Sequence, residues 1–199
     1  NTYEENKYAV IEAGTGIGKT MAYLYPSVLL AKSQGKRVVI STKTKPLQQQ
    51  IQDELKLVEK VLDQNVQSIV VKGKENYVDI TRFDRLYRYF LKDETKKDGL
   101  FFLGILSWIL KTETGDISEL HPILYNRFAK KISFSHEYTG KKGASKHCFL
   151  NNLRKKTQLA DIIITNHSFI FSDMAYDGGI LPSSTHYIFD EAHSLDGIV

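Results

Sequence analysis

Cysteine is almost absent: the 199 residues contain one, Cys148. A single thiol excludes an internal disulfide framework, and it excludes any metal or iron–sulfur site built from four cysteines of this chain. Long apolar runs are lacking as well. The longest, residues 100–110, is too short to cross a bilayer as a helix. The first residues carry no charged, apolar, small-residue leader, and no internal repeat or low-complexity tract interrupts the chain. The expectation is a soluble, cytoplasmic protein that engages no membrane.

What is present is an ordinary globular composition, 42% hydrophobic and 25% charged, which suffices for one sizeable core with or without an insertion. The net charge of +4 is unevenly placed. Residues 127–156 hold nine Lys/Arg against one acid, Glu137, so this stretch is +8 and the remainder of the chain is −4. A basic block on a slightly acidic body fits a local polyanion contact. A solvated surface loop fits equally well on charge alone.

Hydrophobic patterning sets the fold class. Tyr8, Ala9, Val10 and Ile11 read as a short buried strand running into Gly14, Gly16 and Gly18, after which Met21, Leu24, Val28 and Leu29 recur at helical spacing. A second apolar strand at Arg37, Val38, Val39 and Ile40 is followed by Leu47, Ile51, Leu55, Val58 and Leu62, again helical, and by a third strand over residues 68–71. Continuous apolar strands alternating with helices predict an α/β fold, a parallel sheet covered on both faces. From Lys72 onward the pattern is helical, through Phe83, Leu86, Tyr87, Phe90 and Leu91 and then the 100–110 run. Buried strands return only at 161–164 and 187–189. The reading is therefore an α/β domain, residues 1–76 and 151–199, interrupted by a mostly helical insertion at 77–150. The chain begins almost at its first strand and stops just after its last recognisable one, which suggests a segment of something longer, truncated at both ends.

The strongest chemical signal is Ala13, Gly14, Thr15, Gly16, Ile17, Gly18, Lys19, Thr20, set between an expected strand and an expected helix. Glycines let the backbone curl so that successive N–H groups face an anion, and the helix start adds its partial positive charge. Lys19 would reach the β and γ phosphates of ATP, and the Thr20 hydroxyl would ligate Mg²⁺. The loop opens with Ala13 where the general pattern has glycine. A ligand-free glycine turn is the plain alternative, but Gly-x-Gly-x-Gly-Lys-Thr behind an apolar run argues strongly against it.

The second signal is Tyr187, Ile188, Phe189, Asp190, Glu191, Ala192, His193, an apolar strand delivering two adjacent carboxylates at its carboxyl end, the edge where α/β sheets bind ligands. Asp190 is assigned to Mg²⁺, and Glu191 to the water that attacks the γ-phosphate. Acid pairs that merely begin a turn are common, so the weight of this one comes from its pairing with the loop.

This Asp-Glu-Ala-His box behind a Gly-Lys-Thr loop resembles superfamily 2 helicases. Ser41, Thr42, Lys43 and Thr44, followed by Leu47, Gln48, Gln49 and Gln50, look like the block with which such helicases grip the DNA backbone, since hydroxyls and an amine bond phosphate oxygens without reading bases. A polar strand-to-helix loop with a helix cap is compatible with the same residues. Two further stretches are similar to the DinG/XPD family: Val71, Lys72, Gly73, Lys74, Glu75, Asn76, Tyr77, and Cys148 with Phe149, then Ala160, Asp161, Ile162, Ile163, Ile164, Thr165, Asn166, His167.

The resemblance implies a RecA-like P-loop NTPase domain and ATP-dependent translocation on single-stranded DNA, with the insertion at the position of the family's iron–sulfur and arch region. It also implies a second RecA-like domain as partner, supplying the arginine that stabilises the transition state. Members with a cluster supply four cysteines, the first just after the Asn-Tyr pair, where this chain has Val78. One thiolate does not hold a cluster, so the expectation is ATP and Mg²⁺ without iron–sulfur, and an insertion packed by Phe83, Leu86, Tyr87, Phe101, Phe102 and Trp108. His136 and His147 near Cys148 lack a zinc-site spacing. The resemblance also suggests that Asn166 and His167 couple the nucleotide site to DNA or contact the insertion; a polar strand end capping the following segment is the plain alternative. Lys141, Lys142 and Lys146, with Arg154, Lys155 and Lys156, would line the path of a single strand beside Phe134 and Tyr138. Rival readings are a P-loop ATPase switch without nucleic acid and a scaffolding module that has lost catalysis.

Overall fold

The computed structural model describes residues 8–14, 16–92, 97–134, 149–175, 180–183 and 186–197. The chain divides into two compact units, Asn1–Lys72 with Arg154–Val199, and Gly73–Leu153.

The first unit is built on four parallel strands, β1 (Val38–Thr42), β2 (Ser68–Val70), β3 (Ile162–Asn166) and β4 (His186–Phe189), in the order β2-β3-β1-β4. The central position of β1 and β3 follows from their side chains: all five residues of β1 are buried, as are the first four of β3. Val38 and Ile40, with Ile162 and Ile164, form one core with Leu24, Val28 and Leu30 of α1 (Lys19–Gln34) and Ile51, Leu55 and Val58 of α2 (Lys45–Leu62). Val39 and Ile163, which point the opposite way along the pleat, are also buried, and a third helix (His167–Ala175) lies against β1 and β3. A parallel sheet needs cover on both faces, and continuous Val/Ile runs are its sequence signature.

The helix ends follow local chemistry. Helix α2 starts on Thr44, whose hydroxyl accepts from the Leu47 amide, with Pro46 in the first turn. Helix α1 ends on Gly35 in the left-handed region at φ 62°, its amide bonding the Ala31 carbonyl.

One expected strand does not form. Residues 8–11 are extended chain outside the sheet, with Tyr8, Val10 and Ile11 each more than four-fifths exposed. A short apolar run becomes a strand only where a neighbouring edge takes its N–H and C=O groups, and none does so among the described residues.

The second unit is helical: α3 (Ile80–Lys92), α4 (Gly99–Lys111) and α5 (Pro122–Ile132), with the start of α6 (Phe149–Leu159), which runs across the boundary into the first unit; the helix at His167–Ala175 is thus α7. The aromatic residues expected to pack this region do so. Phe102 sits at the centre, stacked on Phe90 at 4.5 Å between centroids and tilted against Phe128 at 5.4 Å, Tyr87 at 5.9 Å and Phe83 at 6.4 Å. Truncating a buried phenylalanine leaves a cavity worth about 3–5 kcal/mol. Phe102→Ala is expected to lose that much in urea denaturation of the second unit, whereas Leu103→Ala, on the exposed side of α4, is expected to stay within about 0.5 kcal/mol of wild type.

Helices α5 and α6 occupy sequence that reads as a basic block. The +8 stretch is thus partly helical: Arg127, Lys130 and Lys131 lie on α5, and Arg154, Lys155 and Lys156 are exposed on α6. Apolar stems and rings on the opposite faces, among them Phe128, Ile132 and Leu153, are buried. Arg127 places its guanidinium over Phe101, 4.9 Å from the ring centre. Phe134, expected beside a nucleic-acid path, is instead buried, its amide donating to the Tyr77 carbonyl. Tyr138, Lys141, Lys142, Lys146, His136, His147 and Cys148 lie outside the described residues.

Candidate nucleotide site

The carboxyl ends of β1, β3 and β4 and the amino end of α1 converge on one place in the first unit. Gly16 and Gly18 have φ of 76° and 82°, a conformation that side chains rarely adopt, and α1 begins at the very next residue, Lys19. Gly18 supplies no side-chain cap, so the first-turn amides of α1 keep their capacity for an anion. Nothing lies within 4 Å of where a Cβ would stand on Gly14, Gly16 or Gly18. The described part of the loop, Ala13, Gly14 and 16–18, is therefore open to a ligand; Thr15 lies outside the described residues. Lys19 and Thr20 are half-buried.

The acid pair follows β4 directly. The Asp190 amide donates to the Ser41 carbonyl at 2.8 Å, extending the β1–β4 ladder by one bond and fixing where the strand ends. Glu191 then turns left-handed at φ 56°, a conformation a non-glycine residue holds only where its surroundings impose it. Ser194 supplies that constraint, donating to the Glu191 carbonyl from both its amide, at 3.0 Å, and its hydroxyl, at 2.9 Å. The reversal sends the Glu191 carboxylate toward the phosphate loop, where Lys19 Nζ meets Oε1 at 3.0 Å, across 172 positions of sequence. His193 Nδ1 stands 3.3 Å from Oε2.

The two carboxylates are pushed in opposite directions. The hydrogen bond and charge of Lys19 hold Glu191 below the usual carboxylate range, with His193 assisting. Burial pushes Asp190 up, and the neighbouring Glu191 charge adds to it, against the opposing influence of Tyr23 and Lys19. An acid whose charge is disfavoured in this way gains from a cation placed beside it.

Tyr23 is a site residue that motif reading misses. Its hydroxyl is buried without a well-formed hydrogen bond, close enough to Thr20 and Asp190 to feel both, and burial raises its pKa far above the usual tyrosine range. Its position three residues after Thr20 puts both on one face of α1, the signal by which it was discoverable.

The second block divides by burial. Lys43 and Thr44 are exposed, whereas Ser41 and Thr42 are fully buried. Thr42 does not present its hydroxyl to a phosphate from outside: Oγ1 is buried and has no hydrogen-bond partner among the described residues. Asn166 caps α7, its side-chain oxygen accepting from the Phe169 amide at 2.7 Å. His167 is 1% exposed, so a nucleic acid does not reach it; its Nδ1 is 2.6 Å from Ser41 Oγ, and its ring packs against Phe189 at 6.0 Å. Burial lowers its pKa, and Asp190 opposes that shift without cancelling it.

Among the described residues of this unit, three buried side-chain atoms lack a well-formed hydrogen bond: Tyr23 OH, Thr42 Oγ1 and His167 Nε2. All three residues are at the carboxyl ends of the strands or face Asp190. Orphaned polar atoms are rare in folded proteins and mark places where water or ligand completes the bonding. The Thr20 hydroxyl and the Asp190 carboxylate, which is costly to ionise alone, fit a Mg²⁺ that few protein groups would hold. Among the described residues no helix is long and apolar enough to cross a membrane.

Comparison with known proteins agrees with this geometry. Residues 1–92 match the family model described as DEAD/DEAH box helicase. The chain is 34% identical over 205 residues to the ATP-dependent DNA helicase YoaA of Escherichia coli, covering 98% of this chain and 31% of that protein. It is 31% identical over 204 residues to the 3'-5' exonuclease DinG of Bacillus subtilis, covering 98% and 21%, and 33% identical over 198 residues to YoaA of Haemophilus influenzae, covering 95% and 30%. The chain thus spans between a fifth and a third of the length of these relatives.

Proposed function

We propose, for this DinG-like chain of the DEAD/DEAH box helicases, that it binds and hydrolyses ATP and converts the cycle into movement along single-stranded DNA. The observation that carries the reading is the meeting of Lys19 and Glu191 at 3.0 Å, which joins the phosphate loop and the acid box in one site.

The chemistry follows from these residues. The amides of 16–20 and the Lys19 ammonium receive the β and γ phosphates of ATP. Taking up the phosphates draws Lys19 from Glu191, because one ammonium does not hold a carboxylate and two phosphates with full strength. Mg²⁺, held by the Thr20 hydroxyl and Asp190, would supply neutralisation of phosphate charge. Glu191, released and fully ionised, orients a water and takes its proton as the oxygen attacks the γ-phosphorus, and the bond to the ADP oxygen breaks. Lys19 is the main cause of the low pKa of Glu191, so drawing it away returns the carboxylate toward the ordinary range, still ionised at neutral pH, and its placement beside the water is its main contribution.

DNA is gripped through its phosphates by Lys43 and Thr44, which stand exposed where β1 gives way to α2, and by the lysines 141, 142 and 146 of the basic block. The greater length of the relatives supports a second RecA-like domain acting with this one, carrying an arginine for the transition-state charge. We take the working domain as 1–76 with 151–199 and the insertion as 77–150. One cysteine in the chain supports an insertion that works without an iron–sulfur cluster, and DNA as substrate supports a cytoplasmic protein.

Binding of a fluorescent single strand across a salt series tests the DNA half of this reading. Affinity is expected to fall steeply with salt, and Lys43→Ala is expected to reduce the log–log slope by about 0.7, the value for one lost phosphate contact on a single strand. Salt-independent binding, or none at low salt, would favour the ATPase-switch reading instead.

A further inference from the structure

Of the groups around Asp190, one has a bonding pattern that phosphate chemistry leaves unexplained. His167 is buried to 1% exposure, yet it is neither paired with a carboxylate nor placed to touch a ligand from solvent. One ring nitrogen, Nδ1, is 2.6 Å from Ser41 Oγ. Ser41 is the β1 residue whose carbonyl receives the Asp190 amide at 2.8 Å, and its register partners are Thr165 on β3 and Phe189 on β4. Ser41 therefore holds His167 with its side chain and Asp190 with its main chain. The ring also packs against Phe189, the residue before Asp190, at 6.0 Å and 33°. Two independent contacts thus run from one imidazole to the end of β4.

The second ring nitrogen, Nε2, is buried without a well-formed hydrogen bond to any described residue, although the Asp190 main chain lies near enough to the ring to favour its charged form. Whichever tautomer is present, Ser41 satisfies one nitrogen and leaves the other, at a cost of about 1–3 kcal/mol for a buried polar atom left without a bond. A phenylalanine would fill the same space against Phe189 without that cost. A histidine kept there points to a role for its nitrogens.

We propose that His167 is a positioning residue for the metal-binding acid: through Ser41 and Phe189 it fixes the end of β4, and so the place of the Asp190 carboxylate. This rests on the reading of Asp190 as a ligand of Mg²⁺. It moves His167 from the nucleic-acid contacts, where the motif places it, to the support of the acid pair. Groups that orient a metal ligand from behind are worth roughly 10–100-fold in metal affinity. Phosphate binding by the loop, whose described residues 13–14 and 16–20 share no hydrogen bond with Ser41 or His167, needs no such support.

The test is the affinity of the whole chain for a fluorescent ATP analogue, measured with and without Mg²⁺, for wild type, His167→Phe, His167→Asn and Ser41→Ala. The ratio of the two affinities isolates the contribution of the metal. His167→Phe is expected to leave metal-free affinity within about twofold while the magnesium-dependent gain falls by roughly 10–100-fold. Ser41→Ala is expected to move in the same direction, and His167→Asn, which returns a polar group toward Ser41, to recover part of the gain. Asn and Ser41→Ala carry the test if the phenylalanine variant does not fold. An unchanged gain in these variants overturns the positioning role, as does an equal loss with and without metal, which is what general structural damage produces. Absence of nucleotide binding in wild type sinks the ATP reading itself, and wild-type binding without a magnesium gain sinks the assignment of Asp190; neither pattern is confused with failure at His167 alone.

Discussion

Glu191→Gln is expected to bind ATP at least as well as wild type while hydrolysis falls by roughly 10²–10⁴-fold, the usual contribution of a positioned general base. The first half of this expectation comes from the geometry. Glu191 meets Lys19 at 3.0 Å, so the carboxylate competes with phosphate for the same ammonium. The two side chains are 31% and 33% exposed, and a solvent-screened pair of this kind is worth about 0.2–1 kcal/mol. Removing the charge therefore raises ATP affinity by no more than about fivefold, given about 1.4 kcal/mol per tenfold. Comparing equilibrium binding with the rate of phosphate release, with DNA present, separates the two effects. Normal turnover in Glu191→Gln would remove Glu191 from the chemistry.

Lys19→Ala acts on the other side of the same pair and is expected to be the more damaging for binding. Hydrogen bonds to charged groups contribute about 1.5–3 kcal/mol each, so loss of the ammonium lowers ATP affinity by roughly 10–100-fold. A second consequence distinguishes this variant from a simple loss of charge. Lys19 is the principal cause of the low pKa of Glu191 and also helps to hold Asp190 down. Without it both carboxyls rise. For Glu191 the sign is that of a depressed acid: its favourable interaction is present above the unfolded-state pKa and fades as pH falls through the lower folded-state value. In Lys19→Ala that contribution is lost, and the Glu191 titration moves to higher pH. Carbon-detected titration of the Glu191 side chain in the two proteins is expected to show the midpoint moving upward in the variant.

Much of this site was legible because its parts are local. Gly16, Gly18, Lys19 and Thr20 are neighbours whose spacing alone dictates a loop and a helix start, and the apolar strand before Asp190 identifies the edge on which the acids stand. The aromatic packing of the second unit was legible in the same way, from helical spacing in α3 and α4. Other features depend on partners far away in sequence. The Ser41–His167 bond joins residues 126 positions apart, and nothing in either neighbourhood announces it. The left-handed turn at Glu191 is imposed by Ser194, a residue with no motif status. Residues 8–11 show the reverse error, an apolar run that reads as a strand from its own composition but finds no neighbour among the described residues. Helices α5 and α6 were hidden because charge dominates their sequence, while the few apolar positions that bury them are spaced among lysines and arginines. Thr42 and His167 look like contacts for a polyanion by residue type; their burial reassigns them, because side-chain chemistry says nothing about which way a strand end faces.

The central claim is that the loop at 13–20 and the acids at 190 and 191 make one Mg²⁺-dependent ATP site. Calorimetric titration of the chain with ATP, first with Mg²⁺ and then with a chelator, tests it most directly. A single site per chain, tightened by the metal and weakened by Lys19→Ala, is the expected result. Absence of ATP binding under both conditions, or binding that Lys19→Ala leaves unchanged, would contradict it.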